Sequence, residues 1–431
     1  MPTPISRHAL LRPAPTSLLS GAAIVALLVT TAIFLLYFAV YVVYARGLFQ
    51  FPFDYDQGEG FELFDGIRLA RGQNIYLDNA IYPFYASNYP PVYRLLLVPL
   101  IWIFGPKLVV ARLLTWVMSL GIGLVIFAAV RDAWNRRDSD RPGRAIGLAG
   151  LAIAGICGLS FFAANYVYQI GPLARAHLPM VMFGMAGVLC LERAFAASRL
   201  ARGWVLAGVA LLLVAGFTKL QAVDALAAGF GFLLLHRPRW GVAALLVSAA
   251  VSGAVVLALN LATGGQFWLN VVAANVNEYS LDRTWEIYAE FWRLQAPLIL
   301  CGVAHVALDI GTAIRKRSTE PISIWSLYFL GGIALGMLTG KWGAGPVYLI
   351  ASIGAGAVCA GRLAARAAAG MATRIGGGPG LALTALAFSG LFIWQAGLNI
   401  HLPTSGRLFG ALARVLGAEA RSSYPPFAYY D

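Results

Sequence analysis

Residues 54–94 read DYDQGEGFELFDGIRLARGQNIYLDNAIYPFYASNYPPVYR, the first long polar interruption in an otherwise apolar chain. Before Arg94, the stretch sets Asp54, Asp56, Glu59, Glu62, Asp65 and Asp78 against Arg68 and Arg71 alone. How it meets a membrane decides the fold. The apolar run that leaves it, 91–104, is either a crossing or a surface element, and every later segment changes side with that choice.

The surrounding composition makes the membrane unavoidable. Of 431 residues, 59% are hydrophobic and 12% charged, whereas about 25% charged is usual in a soluble domain. Apolar runs recur at about 20 residues, the length of a spanning helix, without the period-2 alternation of a barrel. The expectation is an all-α polytopic membrane protein. A net charge of +13 raises nucleic acid as a partner, but the Lys and Arg residues stand in short clusters between apolar runs, where they set topology and touch anionic lipid; nucleic acid is excluded. Cys157, Cys190, Cys301 and Cys359 fall inside apolar runs without paired spacing, as small buried hydrophobes do. The first run, 18–44, exceeds a signal-peptide core of about 7–15 residues and reads as a retained helix.

Further helices are expected at 91–104, 107–131, 145–168, 177–198, 203–218, 220–236, 240–263, 296–314, 322–338, 346–365 and 380–396. Basic clusters lie at Arg7/Arg12, Arg131/Arg136/Arg137/Arg141/Arg144, Arg193/Arg199/Arg202, Arg237/Arg239, Arg315/Lys316/Arg317 and Arg362/Arg366/Arg374. If every run crossed, three clusters would land outside, against the positive-inside bias. The segment 91–104 is the one to set aside. It starts at Pro90-Pro91, carries Arg94 and Pro99, and ends at Gly105-Pro106. About eleven crossings then remain (eleven to thirteen at the outside), with the N-terminus cytoplasmic and the C-terminus, including the aromatic tail Tyr424–Asp431, outside. One membrane domain covers 1–431, with extracytoplasmic loops at 46–106, holding juxtamembrane or re-entrant helices, and at 264–295. The polar residues able to do chemistry collect on the outer face.

Within the first loop, Asp56 and Glu59 have the spacing of a capping box. The flanking Gly58 and Gly60 strip away side chains and give a ligand access to the backbone. A carboxylate there is placed to deprotonate a hydroxyl or hold a divalent cation, and the residues leave open whether any cofactor is needed. A helix over about 62–71 ends at Gly72, and Tyr76, Tyr82, Tyr85, Tyr89 and Tyr93 supply an aromatic belt at headgroup depth.

A carboxylate after the first helix, Gly72-x-x-x-Tyr76, Tyr89-Pro-Pro and Phe104-Gly-Pro together resemble the bacterial GT-C glycosyltransferases, a superfamily that includes protein O-mannosyltransferases and lipid A aminoarabinose transferases. The likeness continues through Gly105–Arg112, Arg175–Met180, Phe217-Thr-Lys219-Leu-Gln221 and Gly340-Lys341-Trp-Gly, and so covers about 50–350. It implies a GT-C bundle and inverting transfer of a sugar from a polyprenyl-phosphate carrier to a glycan, lipid or protein acceptor at the outer face of a bacterial cytoplasmic membrane, with a first-loop carboxylate as general base. The matching position is Glu59, where relatives often carry Asp-Glu and this chain has Glu59-Gly60; Asp56 is the alternative base. Relatives also carry Arg-x-Asp where this chain has Arg175-Ala-His177, which weakens the case for a metal.

A departing lipid phosphate needs cations. Those expected on the outer face are Lys219, Arg175, Lys341 and His177, with Lys219 the most telling because ionisable groups at membrane depth line cavities. Arg283, beside Asp282, reads as a paired or snorkelling residue. Tyr89, Tyr93, Gln221, Asn275 and Asn277 are the candidate substrate contacts, although loop 264–295 also reads as an amphipathic interfacial helix. On this reading Glu59→Gln abolishes transfer and leaves the fold intact. The rival function is a transporter or flippase, against which stand the missing internal repeat and the one-sided polar face.

Overall fold

The computed structural model describes residues 15–399 apart from 57, 83, 139–143 and 197–200. The expected cluster Arg7/Arg12, Arg141, Arg199 and the C-terminal tail lie outside these residues.

Helices account for the fold, and the only β-pairing among the described residues is an isolated bridge between Tyr279 and Lys341. A long first helix, α1 (Pro15–Gln50), leads to two short ones, α2 (Gly58–Ala70) and α3 (Val92–Phe104). Next come α4 (Leu108–Asp138), α5 (Arg144–Ala163), α6 (Asn165–Ile170), α7 (His177–Ala196) and α8 (Arg202–Thr218). The second half holds α9 (Val223–His236), α10 (Pro238–Ala262), α11 (Gln266–Val271), α12 (Leu281–Lys316), α13 (Ile324–Leu335), α14 (Ile350–Ile375) and α15 (Gly377–Asn399).

Seven of these segments are long and apolar enough to cross a membrane: those built on α1, α4, α7, α10, α12, α14 and α15. Shorter apolar helices occupy 92–104, 147–163, 202–218, 220–236 and 324–340. With 92–104 set aside, the long and short helices together match the expected eleven crossings in number and place. At 13 residues and ~1.5 Å per residue, α3 reaches about 20 Å, short of a ~30 Å hydrocarbon core. It instead packs in parallel with α2 over the start of α4, Arg94 pairing with Glu62 near one end and Trp102 Nε1 donating to the Ala70 carbonyl at the other. Tyr93, Leu97 and Ile101 meet Leu63, Ile67, Ala111 and Ala174 in a small core of their own. The turn between α2 and α3 begins as expected at Gly72, whose φ of 70° suits glycine. Gln73 N–H donates to Arg68 O and Gly72 N–H to Leu69 O, which satisfies the final carbonyls of α2.

The main core runs through α1, α4, α5, α7, α9, α12, α13, α14 and α15. Helix α14 is its axis, with 83% of its most apolar window buried. Small residues permit that position: a side chain at Gly354 would overlap Met185, and one at Gly361 would overlap Val130. By contrast, α10 is 6% buried over its window and turns nearly all its apolar surface outward.

The long loop 264–295 is more ordered than its polarity suggests. Residues 281–294 form the first turns of α12, which kinks at Gln295, where φ is −124°, two residues before Pro297. A proline removes the i→i−4 bond and forces such a break.

Candidate active site

Chain reversals sort the ionised groups to two ends of the bundle. The acidic loop, the start of α4, the 171–177 turn, the α8–α9 junction and the loop before α14 form one end.

At its centre Glu59 is fully buried. Arg112 donates from Nε to Glu59 Oε1 at 2.8 Å and from Nη2 to Oε2 at 2.7 Å. Backbone N–H groups of Ala174 and Tyr55 fill the remaining positions on Oε1 and Oε2, at 2.8 and 2.9 Å. A carboxylate has about four acceptor sites, and all four are taken. Arg112 is equally saturated, since its other N–H groups bind the carbonyls of Leu48, Phe51 and Phe53. This pair ties the end of α1, α2, α4 and the 171–177 turn into one unit. Glu59, expected as the general base, thus has every acceptor position engaged in this structure. Arg112 was missed as a partner, although it is the only ionisable residue between Lys107 and Arg131.

The expected capping box is also displaced. Asp56 Oδ1 accepts from Gly58 N–H, not from Glu59 N–H, which bonds the Asp56 carbonyl instead. Asp56 Oδ2 pairs with Arg175, and both side chains keep partial exposure, 36% and 27%. The space left by the glycines is already occupied. A Cβ at Gly58 would overlap the Arg175 guanidinium, and one at Gly60 the Asp54 carboxylate. Burial and the neighbouring Glu59 hold the Asp54 carboxyl above its ordinary range. Burial would lower the Arg175 pKa, but Asp56 outweighs it and the value is raised. With a guanidinium on each of Asp56 and Glu59, this pair does not fit a resident divalent cation. Among the described residues no cluster of three His, Cys, Asp or Glu has metal-ligand geometry.

Behind this pair, Glu62 and Asp65 share Arg94 Nε at 2.8 and 3.2 Å. Asp65 also accepts from Tyr85 Oη and Ser87 Oγ, both at 2.6 Å. Burial raises both carboxyls above their usual range, although Arg94 opposes it. Arg94 Nη1 then donates to the carbonyls of Tyr89 and Pro90, fixing the turn that carries the Tyr89 ring.

That ring stands over Lys219. The ammonium is 4.5 Å from the Tyr89 centroid, 5.7 Å from that of Tyr348 and 3.3 Å from His177 Nδ1. Lys219 is 7% exposed and sits in the one extended residue, φ −159°, that separates α8 from the 3-10 turn before α9. Among the described residues no carboxylate lies within ion-pair distance of it. His177 stacks on Tyr348, and Gln221 Nε2 donates to Tyr348 Oη at 2.9 Å. Gln221 Oε1 is buried without a hydrogen-bond partner.

The structure thus brings Asp56, Arg175, His177, Lys219, Gln221 and Tyr89 to one end, together with Tyr348 and Arg94, which sequence reasoning passed over. It does not bring Tyr93 into contact with a substrate space: that ring is wholly buried and its hydroxyl meets Thr115. Asn275 and Asn277 spend their amide groups on the carbonyls of Asn88 and Trp342. They staple loops. Lys341 lies in the segment that bridges to Tyr279, partly exposed and outside the Lys219 cluster. Arg283, read as paired with Asp282, donates to the Ala344 carbonyl.

A long first helix, two short helices capping one end, and a broken α8–α9 pair whose lysine has no carboxylate within ion-pair distance among the described residues characterise this all-α fold. The fold is similar to that of ArnT from Cupriavidus metallidurans, in a crystal structure bound to undecaprenyl phosphate (TM-score 0.51, 16% identity, covering 86% of this chain and 78% of that one). The apo structure of the same protein gives a TM-score of 0.50 over the same shares, again at 16% identity. No family model matches the sequence, and no curated protein sequence matches it.

Proposed function

We propose that this multi-pass membrane protein is a glycosyltransferase that takes a sugar from a polyprenyl-phosphate carrier and delivers it, with inversion, to an acceptor hydroxyl. The observation that carries the reading is Lys219, a buried cation with no carboxylate within ion-pair distance among the described residues, beside the partly exposed Asp56–Arg175 pair. An isolated buried charge is expensive and is retained where an anion completes it. The ArnT structure bound to undecaprenyl phosphate supplies the chemical class of that anion. Basic clusters at the far end of the bundle support an extracytoplasmic position for this end.

In this mechanism Asp56, not Glu59, is the base. The acceptor hydroxyl gives its proton to Asp56 as its oxygen bonds to the anomeric carbon. The bond from that carbon to the phosphate oxygen breaks, and the electron pair leaves with the lipid phosphate. Lys219 and Arg175 offset the developing charge, and Tyr89 and Gln221 bound the sugar. Glu59 positions Asp56 through Arg112 and the Tyr55 backbone.

Release of polyprenyl phosphate from a labelled lipid-linked sugar tests the proposal. Asp56→Asn should slow release by about 10²–10⁴-fold and Lys219→Met by about 10²–10³-fold, with both variants remaining folded. Near-wild-type release by either would refute the assigned roles. Movement of intact lipid-linked sugar across the membrane without release would identify a flippase.

A further inference from the structure

The far end of the bundle holds a feature that transfer chemistry does not use. A groove of about 760 Å³ opens between α12, α14 and α15. Leu308, Ala360, Met371 and Phe388 give it apolar walls, while Thr312, Thr384 and Arg366 are its polar members. Along α14 the wall runs from Ala360 to Met371, which at ~1.5 Å per residue is about 16 Å. That length matches one leaflet, half of a ~30 Å hydrocarbon core.

Charge is confined to one end. Arg366 engages Asp309 through Nη2 and keeps 26% of its side chain exposed. Arg315 reaches Thr312 Oγ1 at 3.5 Å, bringing a second guanidinium to the mouth. Lys316 and Arg317 follow directly, with Glu320 the one acid of that turn. An apolar trough one leaflet deep with cations at its rim is the complement of a molecule having an anionic head and a hydrocarbon tail.

The geometry points to a structural site for an anionic glycerophospholipid of the adjacent leaflet, its acyl chain in the groove and its phosphate against Arg366 and Arg315. The groove is shorter than a full polyprenyl tail and matches the length of a single acyl chain. The site lies at the opposite end from Lys219, so it stands or falls independently of the proposed transfer reaction.

Native mass spectrometry of the full chain, delipidated and titrated with phosphatidylglycerol or phosphatidylcholine of the same acyl chains, tests it. Phosphatidylglycerol should be retained about tenfold more than phosphatidylcholine. Ala387→Trp fills the groove from an exposed wall position and touches no ion pair; it should reduce retention of both lipids at least fivefold. Arg366→Gln should abolish the preference for the anionic head. Equal retention of the two lipids, unchanged retention in a monodisperse Ala387→Trp protein, or displacement of phosphatidylglycerol by equimolar undecaprenyl phosphate would each overturn the assignment.

Discussion

At the end away from the acidic loop, Glu192 accepts from Arg136 and Trp325, both at 2.7 Å, and from Arg362. Nearby, Asp309 accepts from Ser323 N–H and Ser326 Oγ and pairs with Arg366. Each carboxylate in that network has its cation and its hydrogen bonds. The loop end contains an equally closed pair, Glu59 with Arg112, but also the open pair Asp56–Arg175 and the solitary Lys219. The difference separates scaffold from chemistry. Saturated buried carboxylates join helices distant in sequence, whereas a charge left short of partners, Lys219 above all and the exposed face of Arg366 in lesser degree, is available to a ligand. By this criterion Glu59 belongs with Glu192, although its own N–H bonds the Asp56 carbonyl.

The sharpest way to break the comparison is Glu59→Gln. If Glu59 is a tie, removing its charge strands Arg112 in a buried position, a loss of about 3–5 kcal/mol, and the protein should lose thermal stability in detergent along with activity. A well-folded, inactive Glu59→Gln protein would return Glu59 to the role of base. A smaller effect is expected at the far end. Arg362→Gln removes one charged hydrogen bond from Glu192, worth about 1.5–3 kcal/mol, reduced because the guanidinium is partly exposed and Arg136 remains. It should lower the melting temperature and leave the turnover of the folded fraction unchanged. Lost turnover at full stability would contradict the division into two ends. The mildest test uses pH. Glu62 and Asp65 have raised carboxyl pKa values in the folded chain, so their contribution is complete below the ordinary carboxylate range and is lost as pH rises through the raised values. Hydrogen exchange of residues 58–104, corrected for intrinsic rates and compared with α14, should show protection falling over that rise. Protection that increases instead would reverse the sign.

Local features of this architecture were readable from residues alone. Pro90-Pro91, Pro99 and Gly105-Pro106 mark α3 as a short surface helix, Gly72 marks the end of α2, and Lys219 after a long apolar run marks a buried cation. Partnerships were not readable. Glu59 meets Arg112 across 53 positions and Glu192 meets Arg362 across 170, and no spacing rule reaches that far. The same blindness made Gly58 and Gly60 look like ligand space, because nothing local shows that Arg175 and Asp54 fold back to fill it. Tyr93 failed for a related reason: one turn of helix separates a ring at the membrane surface from one enclosed against α4.

The filled space over Gly58 bears on the ion pair beside it. A methyl at 58 would displace the Arg175 guanidinium, a shift open to the far end of a flexible side chain. Displacing it loosens its hold on the Asp56 carboxylate. The size of residue 58 therefore tunes how firmly that carboxylate is held.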